Sequence, residues 1–290
     1  MSNAQELPGR ERVRWVECPR DAWQSVPELI PAERKVAHLQ GLLDAGFRNI
    51  DAGSFVSPRA VPQLASSEEV LAALRVPAGA ELLAIVANGR GVERALAAAN
   101  VTAVGYPLSV NETFQLRNSG MTLEQSWEFL DGLVRQAREG GLELVVYLSM
   151  GFGNPYGDPW EPEDTARAAR RLARLGVHRL ALADTIGNAD EVRLAQVLGA
   201  VEWPGELGLH LHARPHAWQP LLETAWSAGV RWFEGALSGL GGCPFAGDEL
   251  VGNLPTEKVL PWLAARATVD VDLEKLPGLA REARGLAFSA

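Results

Sequence analysis

Short apolar runs alternate with longer amphipathic stretches from one end of the chain to the other. The runs read as strands are 13–18 (VRWVEC), 48–53 (RNIDAG), 81–87 (ELLAIVA) and 101–108 (VTAVGYPL). Four more follow at 142–150 (LELVVYLSM), 178–184 (HRLALAD), 206–212 (ELGLHLH) and 230–237 (VRWFEGAL). Several are nearly continuous in apolar residues, as in strands covered on both faces. The stretches between them carry helical spacing. In AERKVAHLQGLLDAG, Val36, Leu39, Leu42 and Leu43 share one face and Gly46 supplies the stop. In TLEQSWEFLDGLVRQAREGG, Thr122 is the expected N-cap, with Gln125 in the capping-box position. DTARAARRLARLG and NADEVRLAQVLGAV repeat the pattern, and the residues after Asp270 read as one more helix.

Eight strand–helix units with no Pro/Gly/Ser-rich linker predict parallel strands joined by crossover helices. The expected fold is α/β, a single closed (β/α)8 barrel of the TIM type. It spans 1–290, with a polar extension over 1–12 and a terminal helix over 270–290. An open doubly wound sheet is the alternative. The 290 residues suit one barrel, and a 47% hydrophobic share is enough for a packed core.

Charge narrows the function classes. Lys+Arg 27 against Asp+Glu 36 leaves −9, which disfavours a nucleic-acid or anionic-membrane surface. Two cysteines make no disulfide scaffold, and the polar start MSNAQELPGRER lacks the apolar core of a signal peptide. No apolar run reaches the roughly 18 residues a membrane span needs. A cytoplasmic protein is expected.

Barrel chemistry sits where strands end. The polar residues there are Arg20 and Asp21 after strand one, Asp51 in strand two and Asp184 in ADTIGN after strand six. His210 and His212 end strand seven, and Cys243 and Asn253 follow strand eight. Positions i and i+2 of a strand project to one side, so the two imidazoles converge. In a closed barrel strands seven, eight and one are neighbours, so His210, His212, Asn253 and Asp21 can approach one point. Two nitrogens and two oxygens with open positions suit Mg2+ or Mn2+ better than a closed zinc site. Cys243, among glycines, is either a buried apolar residue or an acid–base group on a mobile loop. Arg20 is either a plain ion-pair partner of Asp21 or a fixed cation for a developing enolate. Asp51 and Asp184 are either helix caps or site carboxylates. His216 is a candidate support for the site, and Cys18 reads as structural. A Walker loop, HExxH and a dinucleotide GxGxxG are all missing.

VECPRDAWQ, GSFVSPRAVPQ, ADTIGN, HLH and GLGGCPFA, in that order, resemble the 3-hydroxy-3-methylglutaryl-CoA lyase family, whose barrels also include isopropylmalate and homocitrate synthases. The resemblance runs from Val13 to the final helix. It implies that Asp21, His210, His212 and Asn253 hold a divalent metal, Mg2+ or Mn2+. Arg20 would steady the enolate, Cys243 would take part in proton transfer, and Asp184 and Asp51 would complete the site. The implied reaction is retro-Claisen cleavage of 3-hydroxy-3-methylglutaryl-CoA, or a close 3-hydroxyacyl-CoA analogue, to acetyl-CoA and acetoacetate. The alternative is an acetyl-CoA-dependent carboligase. The partner implied is an acyl-CoA thioester, with no nucleic acid and no membrane, in a homodimer serving leucine catabolism or ketone-body metabolism. Five departures stand out. Asp51 replaces a glutamate and Ala213 a polar residue, the ARPHAWQ segment is longer than usual, Ala22–Trp23 crowd the mouth, and one extra residue separates Cys243 from Asn253. They bear on the acyl group more than on the metal.

Overall fold

A computed structural model describes residues 11–24, 26–242 and 251–288. Its strands are β1 (Arg14–Glu17), β2 (Asn49–Ser54), β3 (Glu81–Ile85), β4 (Ala103–Ser109), β5 (Glu143–Ser149), β6 (Arg179–Ala183), β7 (Glu206–His210), β8 (His212–Ala213), β9 (Trp232–Gly235) and β10 (Gly252–Asn253). The helices are α1 (Pro19–Gln24), α2 (Ala32–Asp44), α3 (Ser67–Ala72), α4 (Gly89–Ala97), α5 (Glu112–Ser119), α6 (Leu123–Glu139), α7 (Pro162–Arg174), α8 (Glu191–Ala200), α9 (Trp218–Ser227), α10 (Thr256–Ala264) and α11 (Leu276–Ala287). Strands β1 to β7 and β9 close into one parallel barrel, with β9 pairing back onto β1. The closed (β/α)8 barrel therefore holds against the open sheet, and α11 is the extra C-terminal helix.

Local chemistry explains where elements start. Thr122 and Gln125 form the expected capping box: Gln125 N–H donates to Thr122 Oγ1 at 3.1 Å and Thr122 N–H to Gln125 Oε1 at 2.9 Å. Asn88, Asn111 and Asp190 cap α4, α5 and α8 through their side chains. Gly46, at φ +97°, ends the α2 turn in a conformation that favours glycine. None of the described helices is long and apolar enough to cross a membrane.

Side chains alternate between two cores. One lies between strands and helices; the other comprises Val16, Cys18, Leu83, Ile85, Ala103, Val145, Tyr147, Ala181 and Trp232. The strands' first residues carry an ionic floor. Arg179 Nη1 lies 2.6 Å from Glu81 Oε2, and Arg14 contacts Glu81 and Glu206, both at 3.4 Å. Charge thus closes the N-terminal end, apolar groups fill the middle, and the opposite end is left for chemistry.

Trp232 occupies the middle because its neighbour in register is Gly208. A Cβ on Gly208 would stand 2.3 Å from the indole Cδ2. Gly208→Ala is expected to overpack the barrel and destabilise it by about 1–3 kcal/mol. Thermal unfolding reads this as a lower midpoint, and an unchanged midpoint would mean that the indole can turn aside freely.

Candidate active site

Two tight turns and one short ribbon assemble the barrel mouth. Pro19 opens α1, where its missing N–H costs nothing, and this helix directly after β1 carries Arg20 and Asp21. The sequence predicts one strand through the His-x-His pair. Instead, β7 ends at His210, and His212 starts β8, which pairs antiparallel with β10. The chain turns away from the barrel at Leu211, and the ribbon places His212 opposite Asn253. The predicted convergence is there: ligand atoms of Asp21, His210 and His212 all lie within 4.8 Å of one another. Asn253 joins them by donating from Nδ2 to Asp21 Oδ2 at 2.7 Å.

The donor set fits a divalent cation. His212 Nδ1 faces the Thr185 carbonyl at 3.3 Å, and its buried Nε2 has no protein partner. Asn253 spends both amide N–H bonds on Asp21 and the Leu240 carbonyl, leaving a buried Oδ1 unpartnered. Buried acceptors without partners are costly, and two beside a carboxylate are what a hard cation would satisfy. Gly241, at φ +93°, roofs the cluster. A Cβ there would fall 2.7 Å from Asn253 Nδ2 and 2.9 Å from Asp21 Oδ2, so only glycine leaves this space open.

Arg20 is held from two sides. Its Nε donates to Asp51 Oδ1 and Oδ2 at 3.1 and 2.9 Å, and Nη2 to Asp51 Oδ2 at 2.5 Å. Its Nη1 reaches Gln24 Oε1 at 2.9 Å and Asp21 Oδ1 at 3.4 Å, so the ion pair with Asp21 is present, with Asp51 the nearer partner. Asp51 lies inside β2, next to a register shift, rather than at a helix cap. Burial lifts its carboxyl to about 6 even against the Arg20 guanidinium. Burial works the same way on Asp21, yet Arg20 and the two histidines hold it below the usual carboxylate range. Burial and the neighbouring His210 push His212 down to about 4, keeping it neutral as a ligand must be. His210 also feels burial, but Glu234 outweighs it and shifts the imidazole upward.

Asp184 follows β6, and its N–H donates to the His210 carbonyl at 2.9 Å. Its own oxygens accept Asn188 N–H at 2.7 Å and Ala189 N–H at 3.1 Å, the turn-anchoring geometry that the sequence left open. Burial raises this carboxyl to about 6. Cys243 lies outside the described residues. His216 is exposed on the turn before α9. Trp23, expected to crowd the mouth, does not. α1 rotates it toward the helix layer, where it is 3% exposed, edge-on to His38 and under Lys35 Nζ.

Two buried carboxylates that the sequence alone does not single out, Glu17 and Glu234, also support the mouth. Glu17 accepts from Leu237 N–H at 2.7 Å, Trp15 Nε1 at 3.1 Å and Thr256 Oγ1 at 2.6 Å, so it ties down both flanks of the glycine loop. Glu234 faces His210 Nδ1 at 2.8 Å. A lone acid inside an otherwise apolar strand, as in VRWVEC and RWFEGAL, was the available signal. Burial raises Glu17 to about 7. A carboxyl whose pKa is raised on folding stabilises below its unfolded value, and that contribution is lost as pH rises to the folded value. Glu17→Gln should therefore gain stability relative to the parent by up to about 3 kcal/mol between pH 4.5 and 7. Denaturation at several pH values checks the slope, and a pH-independent difference would contradict it.

The family model for HMGL-like proteins matches residues 12–282. Hydroxymethylglutaryl-CoA lyase of Pseudomonas mevalonii is 34% identical over 260 residues, 88% of this chain and 86% of that one. A crystal structure of the HMG-CoA lyase from Brucella melitensis superposes with a TM-score of 0.89 at 31% identity, covering 96% of this chain and 99% of that one. An HMG-CoA lyase from Acinetobacter baumannii, in complex with coenzyme A and 3-methylmalate, gives 0.87 at 30% identity, covering 95% and 91%. With a closed barrel, an acid–histidine cluster at its mouth and these likenesses, the chain belongs to the HMGL-like family of hydroxymethylglutaryl-CoA lyases and is a carbon–carbon lyase.

Proposed function

We propose that this protein cleaves 3-hydroxy-3-methylglutaryl-CoA, or a close 3-hydroxyacyl-CoA analogue, to acetyl-CoA and acetoacetate, and that the reaction depends on Mg2+ or Mn2+. The observation that carries the reading is the pair of buried, unpartnered acceptors, His212 Nε2 and Asn253 Oδ1, beside Asp21. Asp21, His210, His212 and Asn253 would hold the cation. Bound there, it supplies Lewis acidity toward oxygens of the substrate.

The chain's own groups complete the chemistry. A guanidinium has five N–H bonds. Four of those on Arg20 face Asp51, Gln24 and Asp21, which leaves one Nη2–H for the enolate oxygen that forms as the carbon–carbon bond breaks. Asp51 keeps that cation from swinging away. Cys243 is assigned the proton that quenches the acetyl-CoA enolate, on the strength of its place in GLGGCP. Asp184 holds the turn whose Thr185 carbonyl orients His212. The substrate partner is an acyl-CoA thioester, as the coenzyme A bound to the Acinetobacter relative supports. The whole barrel acts as one catalytic domain. Protein stripped with a chelator should be inert on 3-hydroxy-3-methylglutaryl-CoA and release acetoacetate once Mg2+ or Mn2+ is restored. Equal activity with and without metal would overturn the metal dependence.

A further inference from the structure

The two histidines of the cluster are held differently. His212 Nδ1 meets a backbone carbonyl, that of Thr185, at 3.3 Å. His210 Nδ1 meets a carboxylate, Glu234 Oε2, at 2.8 Å. Strands β7 and β9 are adjacent and pair His210 with Glu234 directly in register. The Glu234 side chain is 0% exposed, too enclosed to touch a substrate. Its other oxygen accepts the Tyr147 hydroxyl at 3.3 Å, and the Tyr147 ring stands edge-on to His210 with centroids 6.0 Å apart at 88°. The Cys18 thiol lies 3.9 Å from the same Oε2 that faces His210. Cys18, His210 and Glu234 also lie close enough together to count as a second donor cluster. There, however, the imidazole nitrogen is already bonded to the carboxylate, so this group supports the first cluster.

A fully enclosed carboxylate is costly unless its oxygens are used. Here both are, and one use bears on the mouth of the barrel. We propose that Glu234 is a positioning residue that, steadied by Tyr147, accepts the Nδ1–H of His210 and so fixes the imidazole with Nε2 as its electron-pair donor toward the divalent cation. A carboxylate in this position sets the tautomer, locks the ring and makes the facing nitrogen a stronger donor. The inference rests on the reading of His210 as a ligand, and it predicts an asymmetry. Losing Glu234 weakens one of two otherwise similar ligands while Thr185 keeps the other in place.

Calorimetric titration of the purified, chelator-stripped full chain with Mn2+ tests it. Glu234→Ala should bind Mn2+ about 10–100-fold more weakly. Glu234→Gln has the same shape and can still accept from Nδ1 through its amide oxygen, so it should recover much of that loss. It also carries the test if the alanine variant does not fold. Wild-type affinity in folded Glu234→Ala and Glu234→Gln would overturn the role of Glu234 while leaving the metal site intact. A parent protein that binds no Mn2+ would overturn both.

Discussion

His210→Ala is expected to lose Mn2+ binding and carbon–carbon cleavage together. The cluster offers two imidazoles, one carboxylate and one amide oxygen, and His210 and His212 stand 5.0 Å apart, ring centroid to centroid. Removing one neutral nitrogen leaves Asp21 and Asn253, already bonded to each other, to hold a hard cation with His212 alone. Charge stabilisation by a metal is worth several kcal/mol, so turnover should fall by about 10^3-fold. The variant also leaves the enclosed Glu234 Oε2 without its imidazole partner, so a loss of stability accompanies the loss of metal, and the assay is read on protein shown to be folded. Titration with Mn2+ beside a cleavage assay checks both halves. Normal metal affinity in the variant would refute the ligand role.

Arg20→Met should cost both stability and rate. The guanidinium is the cation that Asp51 contacts, and Asp51 is 1% exposed. Taking away one partner of a buried pair costs about 3–5 kcal/mol, because the remaining charge is left uncompensated. Losing the donor proposed for the enolate oxygen should cost about 10^2–10^3 in turnover. The two effects can be separated. Arg20→Met combined with Asp51→Asn removes the orphaned charge and should recover much of the stability with none of the activity. Recovery of cleavage in the double variant would show that Arg20 acts only as a structural partner of Asp51.

Much of this was legible in the chain itself. Hydrophobic alternation and helical spacing give eight strand–helix units, and closure of the barrel then brings Asp21, at one end of the sequence, to Asn253 at the other. The i, i+2 rule brings His210 and His212 together, although the strand that carries them breaks at Leu211 to pair with β10. What escaped depends on three-dimensional neighbours. Glu17 and Glu234 are single acids in apolar strands, and only packing shows that one fastens the glycine loop and the other faces a histidine. Trp23 was misplaced because sequence distance from Asp21 does not say which way a six-residue helix turns it. For Asp184, a cap and a site carboxylate leave the same mark in a sequence.

The reaction proposed for this barrel breaks the bond between C2 and C3 of a 3-hydroxyacyl-CoA and then protonates the resulting enolate. Mass spectrometry of the products formed from 3-hydroxy-3-methylglutaryl-CoA in D2O, with Mn2+ present, follows both steps at once. The expected result is acetyl-CoA carrying one deuterium on its methyl group, with acetoacetate in equal amount. Intact substrate after incubation with folded, metal-loaded protein would contradict it.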